Sequence, residues 1–171
     1  MTFPKIAESV VLGKNIKFGK DVVIWNYVVI GDNTTIGDNT CIGSFCDIGK
    51  NVVIGKNCNI QAHVTISNGC KIGNNVFIGP NASILNDKFP PSKVLAPPII
   101  KDNAIIGGGA VILPNVIVGE NAVVGAGSVV VSDVPKGAVV KGNPARKMMS
   151  REDYERKKEA FTKRIKEKLA H

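Results

Sequence analysis

Large apolar residues recur at every sixth position of this chain. From Ile6 the series runs through Leu12, Phe18, Ile24, Ile30, Ile36, Ile42, Ile48, Ile54, Ile60, Ile66, Ile72 and Ile78 to Ile84, and it resumes at Ile100, Ile106, Ile112, Val118, Val124 and Val130. With 44% hydrophobic residues overall, twenty such positions in succession would arise by chance about once in 10⁷. The residue two before each aliphatic is small or β-branched, as at Val28, Thr34, Thr40, Cys46 and Val52. The residue after it is often Gly, followed by a polar residue and Asn, as in Gly31-Asp32-Asn33. β-Branched flanks suit short strands, and Asn and Gly tolerate the left-handed backbone of a tight corner. A helix is excluded, because six residues turn it through about 600° and successive aliphatics would face different sides. The pattern predicts a parallel β-solenoid with one aliphatic per short strand turned inward and coils about 4.8 Å apart.

This repeat resembles the left-handed β-helix of the hexapeptide-repeat acyltransferases. The resemblance implies three hexads to a triangular coil of eighteen residues, and roughly six to seven coils between about Ile6 and Asp133. Positions eighteen apart should then share a corner. After Leu12, Ile30, Ile48 and Ile66 the corner residues are Lys14-Asn15, Asp32-Asn33, Lys50-Asn51 and Asn68-Gly69, and after Phe18, Ile36, Ile54 and Ile72 they are similarly polar. After Ile24, Ile42, Ile60 and Ile78 they are Asn26-Tyr27, Ser44-Phe45, Ala62-His63 and Pro80-Asn81, with no formal charge apart from any on His63. If the interruption described below keeps the corner order, Gly108-Gly109 and Ala126-Gly127 extend this uncharged column. An apolar stripe along one solenoid edge points to self-association about a threefold axis rather than to cover by the tail, and the family's members are typically trimers.

The rhythm breaks once, at Leu85 to Ile99 (LNDKFPPSKVLAPPI), where ten extra residues enter. Four prolines keep this segment out of any strand ladder, so it should project as a stiff loop, a common carrier of function. After the last coils, Gly142-Asn143-Pro144-Ala145 is a further point of resemblance to the acyltransferases. Ser150 with Asp153 predicts a helix N-cap box, and Tyr154, Phe161, Ile165 and Leu169 mark one face of a helix expected to cap or brace the solenoid. The expected class is therefore an all-β solenoid, a left-handed parallel β-helix with a projecting loop over about 85–99 and a C-terminal α-helix. It divides into a β-helix domain over 1–149 and an amphipathic helix over 150–171.

Composition narrows the field only a little further. No apolar run approaches the roughly 20 residues of a membrane span, and the first residues lack the pattern of a secretory signal, which leaves the cytoplasm as the expected location. The net charge is +8, but the stretch from Ser150 onward mixes eight basic with five acidic residues, the pattern of a solvated helix face. One Trp and thinly spread lysines argue against a nucleic-acid platform.

Cys46, Cys58 and Cys70 occupy the small inward slot, and their twelve-residue spacing puts them on different faces, so they read as buried thiols rather than a metal cluster or disulfides. Cys41 reads as an exposed thiol. The γ-type carbonic anhydrases, a related β-helix family, need three His ligands for their metal. This chain has only His63 and His171, so no metal is expected. His63 is either a satisfied interface residue or a general base or substrate contact.

Many O-acetylating relatives present a catalytic His on the protruding loop, where it deprotonates an acceptor hydroxyl. The loop here, Asn86-Asp87-Lys88-Phe89-Pro90, has none. A neutral amine needs positioning more than deprotonation. The segment from Val76-Phe77-Ile78-Gly79-Pro80 through Asn86-Asp87-Lys88-Phe89-Pro90 resembles the N-acetyltransferases of nucleotide-linked 3-amino-3-deoxy sugars. Ile60-Gln61-Ala62-His63 loosely matches that subgroup's I-Q-N-N stretch, and Pro91 stands where an Arg is common. The resemblance implies an acetyl-CoA-dependent N-acetyltransferase of cell-surface polysaccharide biosynthesis, a homotrimer with its sites between subunits. It assigns catalysis to Asn86, Asp87 and His63, and sugar contacts to Gln61, Lys88 and Phe89. Pantetheine would pass Gly108, Gly109, Ala126 and Gly127, and Lys141 and Arg146 would meet the CoA phosphates. The alternatives are a hexapeptide O-acetyltransferase with His63 as base, acting on a sugar, serine or xenobiotic hydroxyl, and a non-catalytic structural solenoid.

Overall fold

A computed structural model describes residues 4–169; His171 lies outside them, as do the outer limits of the two expected domains. Twenty two-residue strands run from Lys5–Ile6 to Val129–Val130, each ending on a residue of the six-residue series. They sort into three parallel sheets by taking every third strand, so the chain winds as a three-sided prism. The first face contains Val23–Ile24, Cys41–Ile42, Asn59–Ile60, Phe77–Ile78, Ile105–Ile106 and Val123–Val124; the second contains Val29–Ile30 through Ser83–Ile84 to Val129–Val130; the third contains Thr35–Ile36 through Lys71–Ile72 to Ile117–Val118. The corner that follows each face takes that face's number below. This is the left-handed β-helix of hexapeptide repeats.

The inward aliphatics form a single continuous core, with Ile24 through Ile112 essentially without solvent contact. The small slot before each strand has a second task. Thr34 Oγ1 donates to the Gly49 carbonyl at 2.9 Å and Thr40 Oγ1 to that of Gly55 at 2.8 Å. Cys46 and Cys58 donate likewise to Gln61 O and Gly73 O, each at 3.0 Å. Each such side chain ties a coil to the next, which explains polar Thr among core residues. Cys46, Cys58 and Cys70 are buried and free as expected, whereas Cys41 is half-buried rather than fully exposed. Burial pushes the Cys46 thiol up to about 11 and the Cys70 thiol up to about 12, so neither is a nucleophile at neutral pH.

The corners correct the role assigned to glycine. The left-handed conformation falls on the third corner residue, at φ 59° for Asn33 and 57° for Asn39. Glycine in the first corner position is there for clearance: a Cβ on Gly79 would sit 2.5 Å from the Gly108 nitrogen of the next coil.

The ten extra residues leave the register intact. Lys71 pairs with Ile99 and Ile72 with Ile100 across the break, and Ile78 pairs with Ile106 one face later. The uncharged column is therefore continuous. Beyond the last coil the hairpin Ala138–Gly142 and Ala145–Ser150 extends the first face, pairing with Val123–Val124 on one side.

The helix Arg151–Leu169 starts where the Ser150–Asp153 pattern places it. Ser150 Oγ donates to Asp153 Oδ2 at 2.8 Å, and the Asp153 amide donates to Ser150 Oγ at 3.1 Å. It does not brace the solenoid along its length. Arg151 anchors its first turn, through its amide to Gly137 O at 2.8 Å and its guanidinium to the carbonyls of Asn103 and Asn121. No helix residue is buried, and Phe161 and Leu169 are 55% and 82% exposed. Four large apolar residues in a nineteen-residue helix with thirteen charges make too narrow a stripe to pull the helix onto the prism.

Candidate active site

The second and third corners are hydrogen-bonded ladders. On the third, the carboxamides of Asn39, Asn57, Asn75 and Asn103 link consecutively at 3.1 Å. In the middle corner position, Asp38, Asn74 and Asp102 each accept the amide of the coil before, at 2.9 Å. The second corner repeats this, with Asp32 accepting the Lys14 amide at 2.8 Å and Asn68 the Lys50 amide at 2.7 Å. The captured amide holds the carboxyls of Asp32 and Asp38 below the usual carboxylate range, helped by Lys50 and Lys56.

The first corner is built differently. Of the fourteen non-glycine residues with left-handed backbone, ten are Asn and one is Asp; the other three, Tyr27, Phe45 and His63, all lie here. An L-residue pays roughly 1–2 kcal/mol for that conformation. The three rings stack from coil to coil, Tyr27 on Phe45 at 5.0 Å and Phe45 on His63 at 4.9 Å with planes 7° apart. All three are exposed in the single chain, as is Trp25 beside them. Gln61, at the first position of the His63 corner, donates through Nε2 to Asn59 Oδ1 at 2.6 Å.

Above Asn81 the same corner narrows to bare backbone. Gly109 and Gly127 carry the positive φ, both at 66°. A Cβ would meet only the Gly127 nitrogen at 4.0 Å from Gly109, and nothing within 4 Å from Gly127. The mid-corner amides of Gly108 and Ala126 have no acceptor among the described residues, whereas those of Lys14, Lys20, Lys50, Lys56 and Asn74 on the other corners meet Asp or Asn. At the top stands Lys141, whose Cβ lies one coil beyond Gly125 and which pairs with Arg146 across the hairpin. Gly142 is fastened below by its amide to Ser128 Oγ at 3.1 Å. Gly108, Gly109, Ala126, Gly127 and Lys141 thus line one open shelf. Arg146 also borders a cavity of about 440 Å³ at the upper end of the prism, with Val130, Val134 and Val140.

The loop leaves from the second corner, not the first. Asn86 is a tie: its Nδ2 donates to Asn68 O at 3.0 Å and its carbonyl accepts the Ala96 amide at 2.8 Å. Both oxygens of Asp87 are taken by loop amides, Phe89 at 3.1 Å and Ser92 at 2.8 Å. Lys88 lies over the Phe89 ring at 5.7 Å, and both are exposed. Within one chain a whole face separates Asn86, Asp87, Lys88 and Phe89 from His63 and Gln61. What the sequence did not single out is Asn81, the residue between His63 and the glycine shelf. The signal was its place in the uncharged column. Among the described residues no three His, Cys, Asp or Glu side chains gather as a metal site requires, and no helix is long and apolar enough to cross a membrane.

Residues 15–46, 33–68 and 97–132 match the model of the bacterial transferase hexapeptide family of six repeats, together more than half of the chain. The chain belongs to the bacterial transferase hexapeptide family. Solved structures similar to this hexapeptide protein include a perosamine N-acetyltransferase from Caulobacter crescentus in complex with CoA and GDP-perosamine. The likeness is 22% identity and a TM-score of 0.59, covering 87% of this chain and 58% of that one. WeeI from Acinetobacter baumannii is similar at 27% identity and a TM-score of 0.56, over 84% of this chain and 57% of the other. AntD, an N-acyltransferase from Bacillus cereus in complex with dTDP and 3-hydroxybutyryl-CoA, shares 20% identity at a TM-score of 0.59, over 96% and 91%. The hexapeptide chain spans under three fifths of the length of the first two. No curated protein matches its sequence.

Proposed function

We propose that this hexapeptide protein is an acetyl-CoA-dependent N-acetyltransferase acting on the amino group of a nucleotide-linked amino sugar. The observation that carries this is the first corner: an uncharged edge with open glycines and unpaired amides, headed by Lys141 and Arg146 and leading down to His63. From Lys141 to Asn81 the corner climbs down three coils, about 14 Å at about 4.8 Å each. The pantetheine arm has about a dozen bonds between phosphate and sulfur and spans about the same length when extended. CoA phosphates at Lys141 and Arg146 therefore set the thioester near Gly108 and Asn81.

The amine lone pair attacks the thioester carbonyl, forming the C–N bond. The open amide at Gly108 lies where the developing oxyanion can be held, the Gly109 amide being taken by Pro80 O. Collapse breaks the C–S bond and releases the CoA thiolate, and His63 takes the surplus proton of the ammonium, which passes to the thiolate. Asp87, with both oxygens engaged, shapes the loop rather than moving protons. Asn86, Lys88 and Phe89 reach this corner from the neighbouring subunit of a homotrimer. The exposed ridge of Trp25, Tyr27 and Phe45 supports that assembly, being an apolar edge of the kind subunits cover.

Thiol release from acetyl-CoA, compared across nucleotide-linked amino sugars and matched hydroxyl sugars, tests the proposal. Amine-dependent release supports it. Release with hydroxyl acceptors only makes the protein an O-acetyltransferase, and no binding of CoA at all leaves a structural solenoid.

A further inference from the structure

Among the ten Asn with left-handed backbone, Asn81 is the one that stands on the first corner. Seven of the others, on the second and third corners, bond carboxamide to carboxamide one coil away, as Asn57 does to Asn39 and Asn75, and Asn121 donates to Glu120. Asn81 has His63 one coil below and Gly109 one coil above, so it has no carboxamide to pair with. Its side chain is exposed and makes no hydrogen bond to the described residues. Its backbone, by contrast, is fixed: its amide donates to Ala62 O at 3.1 Å, and the Gly109 amide donates to Pro80 O at 2.8 Å.

The residue before it sharpens its position. Pro80 has no N–H, so the run of unpaired mid-corner amides at Ala126 and Gly108 stops one coil above Asn81. Below the stop, the next polar groups on this edge are the Asn81 carboxamide and, one coil further down, the Ala62 amide and the His63 ring. Resting on the acyl-transfer proposal above, the three-coil span from Lys141 puts the reacting carbon at this junction. The oxyanion then has its backbone donors above, and the amine has to enter from below.

We infer that Asn81 is a catalytic residue whose Oδ1 accepts a hydrogen bond from the attacking amine, aiming its lone pair at the thioester while His63 takes the proton that leaves. Amine acceptors carry the N–H that such a contact needs after the lone pair has been turned to the carbonyl. An acceptor at Asn81 therefore favours an amine over a hydroxyl, whose single O–H is required by the base.

The test compares Asn81→Gly with Asn81→Asp in steady-state thiol release with acetyl-CoA and an amino-sugar nucleotide. Gly is at ease with left-handed backbone, as at Gly109 and Gly127, so the first variant keeps the corner and loses the acceptor; circular dichroism and thermal melting check that it folds. Asp keeps an acceptor oxygen. Turnover should fall by about 30-fold or more in Asn81→Gly with KM for acetyl-CoA within about threefold, and Asn81→Asp should stay within about fivefold of the parent. Asn81→Gly turning over within threefold of the parent would overturn the role of Asn81 alone. Asn81→Asp as impaired as Asn81→Gly would also overturn it, by showing the amide N–H to be the useful group. An unaltered protein that transfers to no amine would overturn the acyl-transfer proposal and this inference together.

Discussion

The first and third corners of this prism have the same backbone path and opposite chemistry. On the third, side chains are spent on the coil itself, with Asn39, Asn57, Asn75 and Asn103 bonded in series and Asp38 and Asp102 closing amides. On the first, the corresponding slots hold rings, the unpaired Asn81 or glycine, and the amides of Gly108 and Ala126 stay open. Stability alone would make both corners alike, since Asn suits the left-handed position and Tyr or Phe does not. A solenoid that places aromatic rings in left-handed backbone along one edge only, and bares that edge to glycine above them, fits the proposal that this edge is kept for another molecule.

The contrast can be broken in graded steps. Replacing His63 by Asn gives that coil a third-corner residue. Loss of the base should lower amine-dependent turnover by about 10²-fold or more, with the melting temperature unchanged or slightly raised. Placing Asn at Gly109 puts a side chain on the shelf at a backbone angle Asn tolerates, in space that is empty within the chain. The KM for acetyl-CoA should rise by about tenfold or more while the fold persists; an unchanged KM would clear the shelf of any part in binding. Exchanging Tyr27 and Phe45 for Asn together should release the sedimenting species toward monomer and relieve part of the backbone strain, since Asn tolerates the left-handed conformation better than Tyr or Phe.

The wet corners make the smallest and most specific prediction. Asp32 and Asp38 have lowered pKa values in the folded chain, chiefly from the Lys14 and Lys20 amides. A carboxyl lowered on folding stabilises above its unfolded pKa, and that contribution is lost as pH falls through the folded value. Melting temperature should therefore drop below about pH 4, and Asp32→Asn with Asp38→Asn should flatten that drop, followed by calorimetry between pH 2 and 6. First-corner variants should leave the acid profile as it is.

The solenoid was legible because one aliphatic per six residues survives in twenty strands, and the corner columns followed from the same count. The register across the loop was legible as well, because Ile100 resumes the series and pairs with Ile72. The site was less so. Asn86 and Asp87 look free in sequence, yet Asn86 Nδ2 is tied to Asn68 and the Asp87 oxygens accept the Phe89 and Ser92 amides, partners set by the path of an irregular loop. Glycine clearance between coils looks like backbone freedom in sequence, because a hexad reports what lies along the chain and not what sits one coil above it. The helix start at Ser150 was legible from its cap, whereas its docking was not, since packing depends on the width of an apolar face and not on its spacing alone.

The central claim, that acyl-CoA lies along the first corner, is tested most directly by following backbone amide resonances while CoA is added. The account predicts large shifts at Gly108, Gly109, Ala126 and Gly127, with Asn57, Asn75, Asn103 and Asn121 on the third corner unmoved. Shifts gathered on the third corner, with those four residues silent, would contradict it.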